Sequence, residues 1–353
     1  MTDAKGNCVP ARDARTGAAR AARSRTPRGA TASSSRDRSG PVDEGRTGGE
    51  GLVVGTVPVG VRVVGALLLL AALAGLVSVV PTYLEVDGQD LVLGGSVLGV
   101  LATLLVPVAG GAVGVLLLRG GVPKFGLTYA AVAGALALGN LLIELYRGRS
   151  STDRPGVEVL AGRQVLTSDL HIGPGWVAGV VALALTVLAG CLAVGVWGRT
   201  VMDDRGTLDP VRGPLAGAAL LLGVGTVLCL ALPAADVRDD LVLDPTTGLQ
   251  VVVTREGPQA LLERPGLALL GGLLLAGALV LCSVTAPSLR PRLAAVGGLL
   301  AITVTVLAAG IAGLRDAVVS DDLDWTLPGV GLVLAGLGFV VLTLLAWRLR
   351  RSS

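Results

Sequence analysis

Eight stretches of the chain contain no Asp, Glu, Lys or Arg and are each long enough to cross a bilayer. They cover residues 63–84, 91–118, 125–143, 170–198, 213–235, 265–289, 293–314 and 325–347. About 20 apolar residues span the hydrocarbon core, and one charge at its centre costs about 2.5 to 3.5 kcal/mol. The pattern therefore predicts eight transmembrane helices, over about 61–82, 92–118, 125–145, 176–198, 213–233, 266–286, 293–314 and 328–347.

The composition favours the same class of protein. Charged residues make up 16% of the chain and hydrophobic residues 52%, with a mean hydropathy of +0.73, whereas soluble domains carry about 25% charged residues. A soluble protein with eight buried helices would need polar helix faces to cover its core, and these segments are apolar all round. We therefore predict an all-α polytopic membrane protein with an eight-helix transmembrane bundle over residues 57–350. Its predicted partner is the lipid bilayer that surrounds the bundle.

The segment before the first span has a different composition. Residues 1–56 hold ten basic and six acidic residues with no apolar periodicity, so they cannot bury enough surface to offset the entropy of ordering. We predict a disordered, basic cytoplasmic tail and a first span that stays as an uncleaved anchor. The tail either attracts anionic headgroups or a partner, or acts as a solvated tether; interspersed charges of both signs favour the tether.

Basic residues in the short connections predict the orientation. With the N-terminus inside, the inner segments carry Arg119, Lys124, Arg199, Arg205, Arg212, Arg290, Arg292, Arg348, Arg350 and Arg351. The outer loops instead hold sixteen acids against eight arginines. We predict a multi-pass protein of the cell (plasma) membrane with both termini cytoplasmic. The near absence of lysine, with only Lys5 and Lys124, and the Ala, Gly, Val and Leu bias resemble a high-GC bacterial genome and hence a bacterial inner membrane.

Tryptophans fall where the predicted spans meet the interface. Trp176 and Trp325 lie at outer ends, and Trp197 and Trp347 at inner ends, which is typical of interfacial anchors. Their flanking sequences also resemble each other in two halves, 59–200 and 210–350. Because each half has an even number of spans, a duplication would place the halves in parallel, as in some carriers. Chance similarity in a chain of such biased composition is the alternative.

Short strands are predicted in the outer loops. Residues 84–93, 157–167 and 241–254 each read as a β-hairpin, the first around Asp87-Gly88, a pair that suits a type I′ turn. Isolated hairpins are marginal in water, so these would pair with one another or lie on the bundle. They would form a lid or docking surface, or simply order long loops.

One polar cluster lies at membrane depth. Asn140, Glu144 and Arg147 share one face near the outer end of the third span. An ionisable residue at this depth is a functional hypothesis, here a proton or cation contact. The alternative is structural: Asn140 bonds a neighbouring helix and Glu144 reaches interfacial water.

Other candidates have weaker patterns. His171 is the only histidine in the sequence, so it has no second histidine with which to form a metal site. Two acidic clusters lack the spacing of a known cation site. They are Asp321, Asp322 and Asp324, and Asp203, Asp204 and Asp209. No phosphate-binding loop, paired catalytic residues or metal motif occurs, so we predict no cofactor, no metal and no catalytic residue. Abundant glycine instead favours close helix packing at four small-x-x-x-small pairs. These are Gly95/Gly99, Gly110/Gly114, Gly175/Gly179 and Gly213/Gly217.

The leading functional hypothesis is a non-catalytic component that serves envelope assembly, scaffolding or sensing. It would act through its outer loops or by packing against other membrane proteins or a second copy of itself, and no feature points to nucleic acid. The alternative is a small-solute transporter that uses Asn140 and Glu144. An intramembrane enzyme is the third hypothesis.

Overall fold

The computed structural model describes residues 52–86, 89–149, 157–160, 163–166, 170–204, 209–237, 240–243, 250–253, 266–319 and 323–349. Within these residues, eight helices are long and apolar enough to cross a membrane. They are α1 (Val59–Val77), α2 (Val97–Arg119), α3 (Pro123–Arg147), α4 (Pro174–Trp197), α5 (Asp209–Leu230), α6 (Leu267–Ser288), α7 (Arg292–Val319) and α8 (Leu327–Arg348). The prediction of an all-α, eight-helix polytopic bundle is therefore confirmed.

Several helix ends differ from the charge-free intervals. Helix α1 ends at Val77, and α2 begins only after Ser96, whose hydroxyl accepts a hydrogen bond from the amide of Gly99. The apolar residues between them form strands and turns instead, because hydropathy alone does not distinguish a helix from a buried strand. In contrast, α7 continues past its predicted end and includes Arg315 and Asp316, which form an ion pair with each other.

Short strands occupy the loops, as predicted. Strands β2 (Leu84–Val86) and β3 (Gln89–Leu91) pair antiparallel, as do β4 (Val157–Leu160) with β5 (Arg163–Leu166) and β9 (Asp240–Leu243) with β10 (Gln250–Val253). The three predicted hairpin pairings are therefore present. The turn residues Asp87 and Gly88 lie outside the described part of the chain.

Additional strand pairs join one loop to another. Strand β2 pairs with β6 (Leu170–Ile172), and β8 (Ala235–Val237) pairs with β11 (Leu323–Trp325). The loops α1–α2 and α3–α4 therefore meet on one face, and so do α5–α6 and α7–α8. Because eight spans alternate in direction, we call this common face the long-loop face and the opposite one the short-loop face.

The short-loop face carries one strand pair of its own. Strand β1 (Leu52–Val54) pairs with β7 (Met202–Asp204), and the amide of Gly55 donates to the carbonyl of Val201 at 3.1 Å. The predicted disordered tail extended to residue 56, so residues 52–54 differ from that prediction. A three-residue apolar segment pairs there with the connection between α4 and α5. Residues 1–51 lie outside the described residues.

Helices α3 and α7 form the centre of the bundle. Of their most apolar 18-residue windows, 61% and 67% of the residues are buried, against 17% to 44% in the other six helices. Helix α3 packs against α4, α6 and α7, and α7 packs against α8, α2 and α3. The outer helices expose large apolar side chains such as Leu70, Leu221 and Leu281. Such faces are suited to contact with lipid.

The two predicted halves have matching neighbours. In the first half, α1 packs against α2 and α4, and α3 against α4; in the second, α5 packs against α6 and α8, and α7 against α8. Across the halves, α2 meets α7 as α6 meets α3. The cross-loop strand pairs correspond as well, since β2 with β6 matches β8 with β11. This correspondence supports two tandem four-helix halves; their origin by duplication stays a prediction.

Close backbone contacts between glycines hold α3 in place. A Cβ atom built on Gly271 of α6 would lie 2.7 Å from the carbonyl oxygen of Gly139, and one built on Gly134 would lie 2.8 Å from the Cα of Gly190 on α4. Neither position has room for a side chain, so α3 lies against α4 and α6 at backbone distance. One predicted glycine pair is wrong in this respect, because Cβ atoms on Gly213 and Gly217 would meet nothing within 4 Å.

Replacing Gly271 with alanine tests the α3–α6 contact. We expect Gly271→Ala to lower the free energy of unfolding by about 1 to 3 kcal/mol, because the added methyl group must push two packed backbones apart. The control is Gly277→Ala on the same helix, where a Cβ would meet nothing within 4 Å. Denaturant titration in detergent micelles measures both, and equal effects of the two changes would contradict the contact.

Candidate functional site

The cluster predicted from sequence lies at the long-loop end of α3. Nη1 of Arg147 donates to Oε1 of Glu144 at 2.6 Å, across one turn of the helix. The Glu144 side chain is 16% exposed and that of Arg147 is 32% exposed. The carboxylate is therefore mostly removed from solvent and is neutralised by an adjacent guanidinium.

Tyr83 completes this cluster from another part of the chain. Its hydroxyl donates to Oε2 of Glu144 at 2.5 Å, so both carboxylate oxygens accept a hydrogen bond from protein. We call Tyr83, Asn140, Glu144 and Arg147 the Glu144 cluster. Sequence reasoning missed Tyr83 because 61 residues separate it from Glu144, and a single tyrosine at a membrane interface has no pattern that identifies its partner.

The sheet on the long-loop face positions Tyr83. Its amide donates to the carbonyl of Leu91 at 2.8 Å, and its carbonyl accepts from the amide of Gly173 at 3.1 Å. From the start of α4, Nε1 of Trp176 donates to the backbone carbonyl of Glu144 at 3.1 Å. The loops α1–α2 and α3–α4 therefore both attach to the end of α3 at Glu144.

Burial and charge keep Tyr83 protonated. Burial of the phenol raises the pKa of Tyr83 well above its ordinary value of 10.0, and the negative charge of Glu144 raises this pKa further, while Arg147 acts in the opposite direction. Both raising effects disfavour the phenolate. At neutral pH, Tyr83 is therefore a hydrogen-bond donor and Glu144 its acceptor.

A cavity of about 490 Å³ extends from the Glu144 cluster into the bundle. Its volume lies in the range of roughly 300 to 1,000 Å³ typical of small-molecule sites. Helices α1 to α7 all contribute to its wall, which consists mainly of alanine, glycine and leucine with some hydroxyl side chains. Among the described residues that line it, Glu144 and Arg147 are the only charged ones.

Asn140 faces this cavity one turn below Glu144. It lines the wall, and no other described residue forms a hydrogen bond with its side chain. The structural alternative, in which Asn140 bonds a neighbouring helix, is therefore not what the described residues show. An amide group at membrane depth that faces a cavity can donate to and accept from a molecule bound there.

The four tryptophans lie at helix ends. Trp176 begins α4 and Trp325 ends β11, both at the long-loop face, while Trp197 and Trp347 lie at the short-loop ends of α4 and α8. Trp176 is also part of the site through its bond to the Glu144 backbone, and Trp197 has Nζ of Lys124 5.6 Å from its ring centroid. Their role as interfacial anchors stays a prediction.

A second polar pair lies at the long-loop end of α7. Nε and Nη2 of Arg315 donate to Oδ1 of Asp316 at 2.9 and 2.6 Å. Arg315 also lines a smaller cavity of about 170 Å³, together with Asp90 and Ser96. Of the other predicted candidates, His171 is exposed on β6, and Asp321 and Asp322 lie outside the described residues. No group of three or more His, Cys, Asp or Glu that could hold a metal occurs in the part of the chain that the structure describes.

An alkaline titration tests the position of Tyr83. The chain holds three tyrosines, so the difference in tyrosinate absorbance between wild type and Tyr83→Phe isolates this phenol. We expect that difference to titrate above 10.0, its ordinary pKa. The neutral phenol should contribute fully to the free energy of unfolding below pH 10.0, its ordinary pKa. This contribution should be lost as the pH rises through the pKa of Tyr83 in the folded protein. A difference that titrates at or below 10.0 would show that Tyr83 is not buried against Glu144.

Comparison of the chain with protein-family models, with curated proteins and with solved structures found no match.

Proposed function

We propose that this protein is a membrane-embedded carrier that holds a small solute in the central cavity beside Glu144. The observation that carries this proposal is the cavity itself, because it joins the intramembrane polar residues to an apolar space inside the bundle. Its volume and its combination of apolar walls with a few polar side chains are typical of a small-molecule site.

The chemistry of the wall supports the same function. Asn140 presents an amide that forms no hydrogen bond with the side chains or backbone of the other described residues, and Glu144 has a carboxylate held in a fixed orientation by Tyr83 and Arg147. Polar groups fixed in this way at membrane depth are typical of substrate pathways. Two halves with matching neighbours are also the arrangement of some carriers, in which substrate binds near the interface between the halves.

The Glu144 cluster also gives one end of the cavity its charged side chains. It lies at the long-loop end of α3, while Ala133, Leu136 and Ala137 line the next part of the cavity along this helix. A solute would therefore place a polar part at the Glu144 cluster and an apolar part along these small side chains. A role in envelope assembly, scaffolding or sensing, and the alternative of an intramembrane enzyme, stay predictions from the sequence.

The proposed location is the plasma membrane of a bacterial cell, with the long-loop face outside and both termini in the cytoplasm. The basic residues of the connections α2–α3, α4–α5 and α6–α7 support this orientation. The Glu144 cluster would then lie near the outer surface, where it would meet an incoming solute first.

Reporter fusions test the orientation. A fluorescent protein fused after Ser353 should fluoresce, and alkaline phosphatase inserted in the α5–α6 loop should be active, because the first reporter matures inside the cell and the second only outside. The control exchanges the two reporters between these positions, and both should then be silent. Activity of phosphatase at the C-terminus would contradict the proposed orientation.

Substitution of Glu144 tests the carrier. Proteoliposomes are loaded with a small-molecule extract of the cells that express the protein, and release is followed by mass spectrometry. We expect wild-type protein to release at least one species that empty liposomes retain. Glu144→Gln should lower that release about tenfold or more, because it removes a charged hydrogen-bonding group from the site.

Two variants complete this experiment. Glu85→Gln makes the same change at an exposed carboxylate on β2, outside the cavity, and should leave release unchanged. Asn140→Ala removes a side chain that no other described residue binds, so we expect it to leave the bundle folded and still reduce release. If vesicles with wild-type protein release no more solute than empty liposomes, the proposed carrier function is wrong.

A further inference from the structure

The cavity follows one face of α3 over much of its length. Tyr129, Ala133, Leu136, Asn140 and Glu144 all line it, at the spacing of a single helix face. Tyr129 and Asn140 are eleven residues apart, which is about 16 Å along the helix. The space is therefore elongated, with a polar residue at each end and small apolar residues between them.

Most hydroxyl groups around the cavity offer acceptors and not donors. Five of them donate their proton to a carbonyl of the same helix or turn at 2.7 to 2.9 Å. These hydroxyls belong to Ser78, Thr103, Thr186, Thr226 and Thr305. A hydroxyl whose proton is used in this way still has free lone pairs. The wall therefore matches a ligand that brings its own donors.

Tyr129 provides a polar group at the far end. Its side chain is 2% exposed and lines the cavity, and no other described residue forms a hydrogen bond with its hydroxyl. Across the cavity, a Cβ atom built on Gly110 of α2 would lie 3.9 Å from this hydroxyl. Because a hydroxyl that faces the cavity and has no hydrogen-bond partner among the described residues gains from a bond to a ligand, the ligand should carry a polar atom at this depth.

Charge decides between classes of ligand. The two charged residues among the described lining residues, Glu144 and Arg147, neutralise each other at 2.6 Å. A ligand with a net charge would therefore be buried without compensation, which is costly at membrane depth. Polyamines and fatty acids are disfavoured on this ground, while neutral hydroxyl groups can donate to Glu144 and to the amide oxygen of Asn140.

From this arrangement we infer that the cavity takes a neutral, chain-shaped molecule with a hydroxyl-bearing group at each end. One end binds Glu144 and Asn140, the chain lies along Ala133, and the other end binds the hydroxyl of Tyr129. This inference names the ligand class of the proposed carrier and so rests on that function. A saturated chain of about 16 Å between the polar ends would fit the spacing along α3.

Four probes with the same dodecyl chain test this ligand class. Protein in lipid nanodiscs is incubated with tritiated dodecanediol, which has a hydroxyl at each end, and empty nanodiscs are subtracted. Unlabelled dodecanol, dodecylamine and laurate then compete. We expect dodecanol to bind about fivefold more weakly than the diol, as for one lost neutral hydrogen bond. Both charged probes should bind more weakly still, by about tenfold or more.

Substitution of Tyr129 provides the specific control. Tyr129→Phe should weaken diol binding about fivefold and leave dodecanol binding unchanged. Tyr146→Phe makes the same change at a buried tyrosine of α3 outside the cavity and should have no effect. Should Tyr129→Phe fail to fold, Gly110→Leu replaces it, because a side chain there would obstruct the far end and weaken binding of both neutral probes.

The outcomes separate the two proposals. Tighter binding of dodecylamine or laurate than of the diol would overturn the neutral ligand class. Equal effects of Tyr129→Phe on diol and dodecanol would overturn the second polar end. None of the probes could bind while solute release from the proteoliposomes still depends on Glu144. The inferred ligand class would then be wrong, and the proposed carrier function would be retained. If no probe binds and no solute is released, the proposed carrier function is wrong as well.

Discussion

Backbone contact around α3 is the constraint on which the rest of this structure depends. Lipid tails are as apolar as leucine, so helices in a bilayer gain little from burying apolar area against each other and rely on close van der Waals contact. Glycines on α3 provide that contact toward α4 through Gly134 and toward α6 through Gly139. With two sides of α3 fixed in this way, the polar side that carries Asn140 and Glu144 is left facing the interior of the bundle.

The position of α3 explains why a charged group is tolerated there. Glu144 is matched by Arg147 from its own helix and by Tyr83 from the preceding loop, so its charge is neutralised and both oxygens are bonded. The β2–β3–β6 sheet holds Tyr83 through backbone bonds. The strands of the long-loop face therefore do more than order the loops, because they position the tyrosine that bonds an intramembrane carboxylate.

The two halves of the bundle share their packing but not their chemistry. Where α3 presents Asn140 and Glu144 to the cavity, α7 presents Ala308 and Ala312 to the same space. On α7, Arg315 pairs with Asp316 and lines a smaller cavity at the long-loop end of that helix instead. Similar helix contacts can therefore support one half with charged and amide side chains in the cavity wall and another that contributes only apolar and hydroxyl side chains there.

The sequence by itself determined the eight helices, the three hairpins and the shared face of Asn140, Glu144 and Arg147. Each of these follows from a pattern that is continuous along the chain, namely the cost of charge in lipid, turn preference and helical spacing. Only the tertiary structure decided which glycines contact a neighbour, that Tyr83 bonds Glu144, that Tyr129 faces the cavity, and that strands of different loops pair. These depend on contacts between distant segments, and residues as common as glycine and tyrosine leave no local pattern that identifies a partner far along the chain.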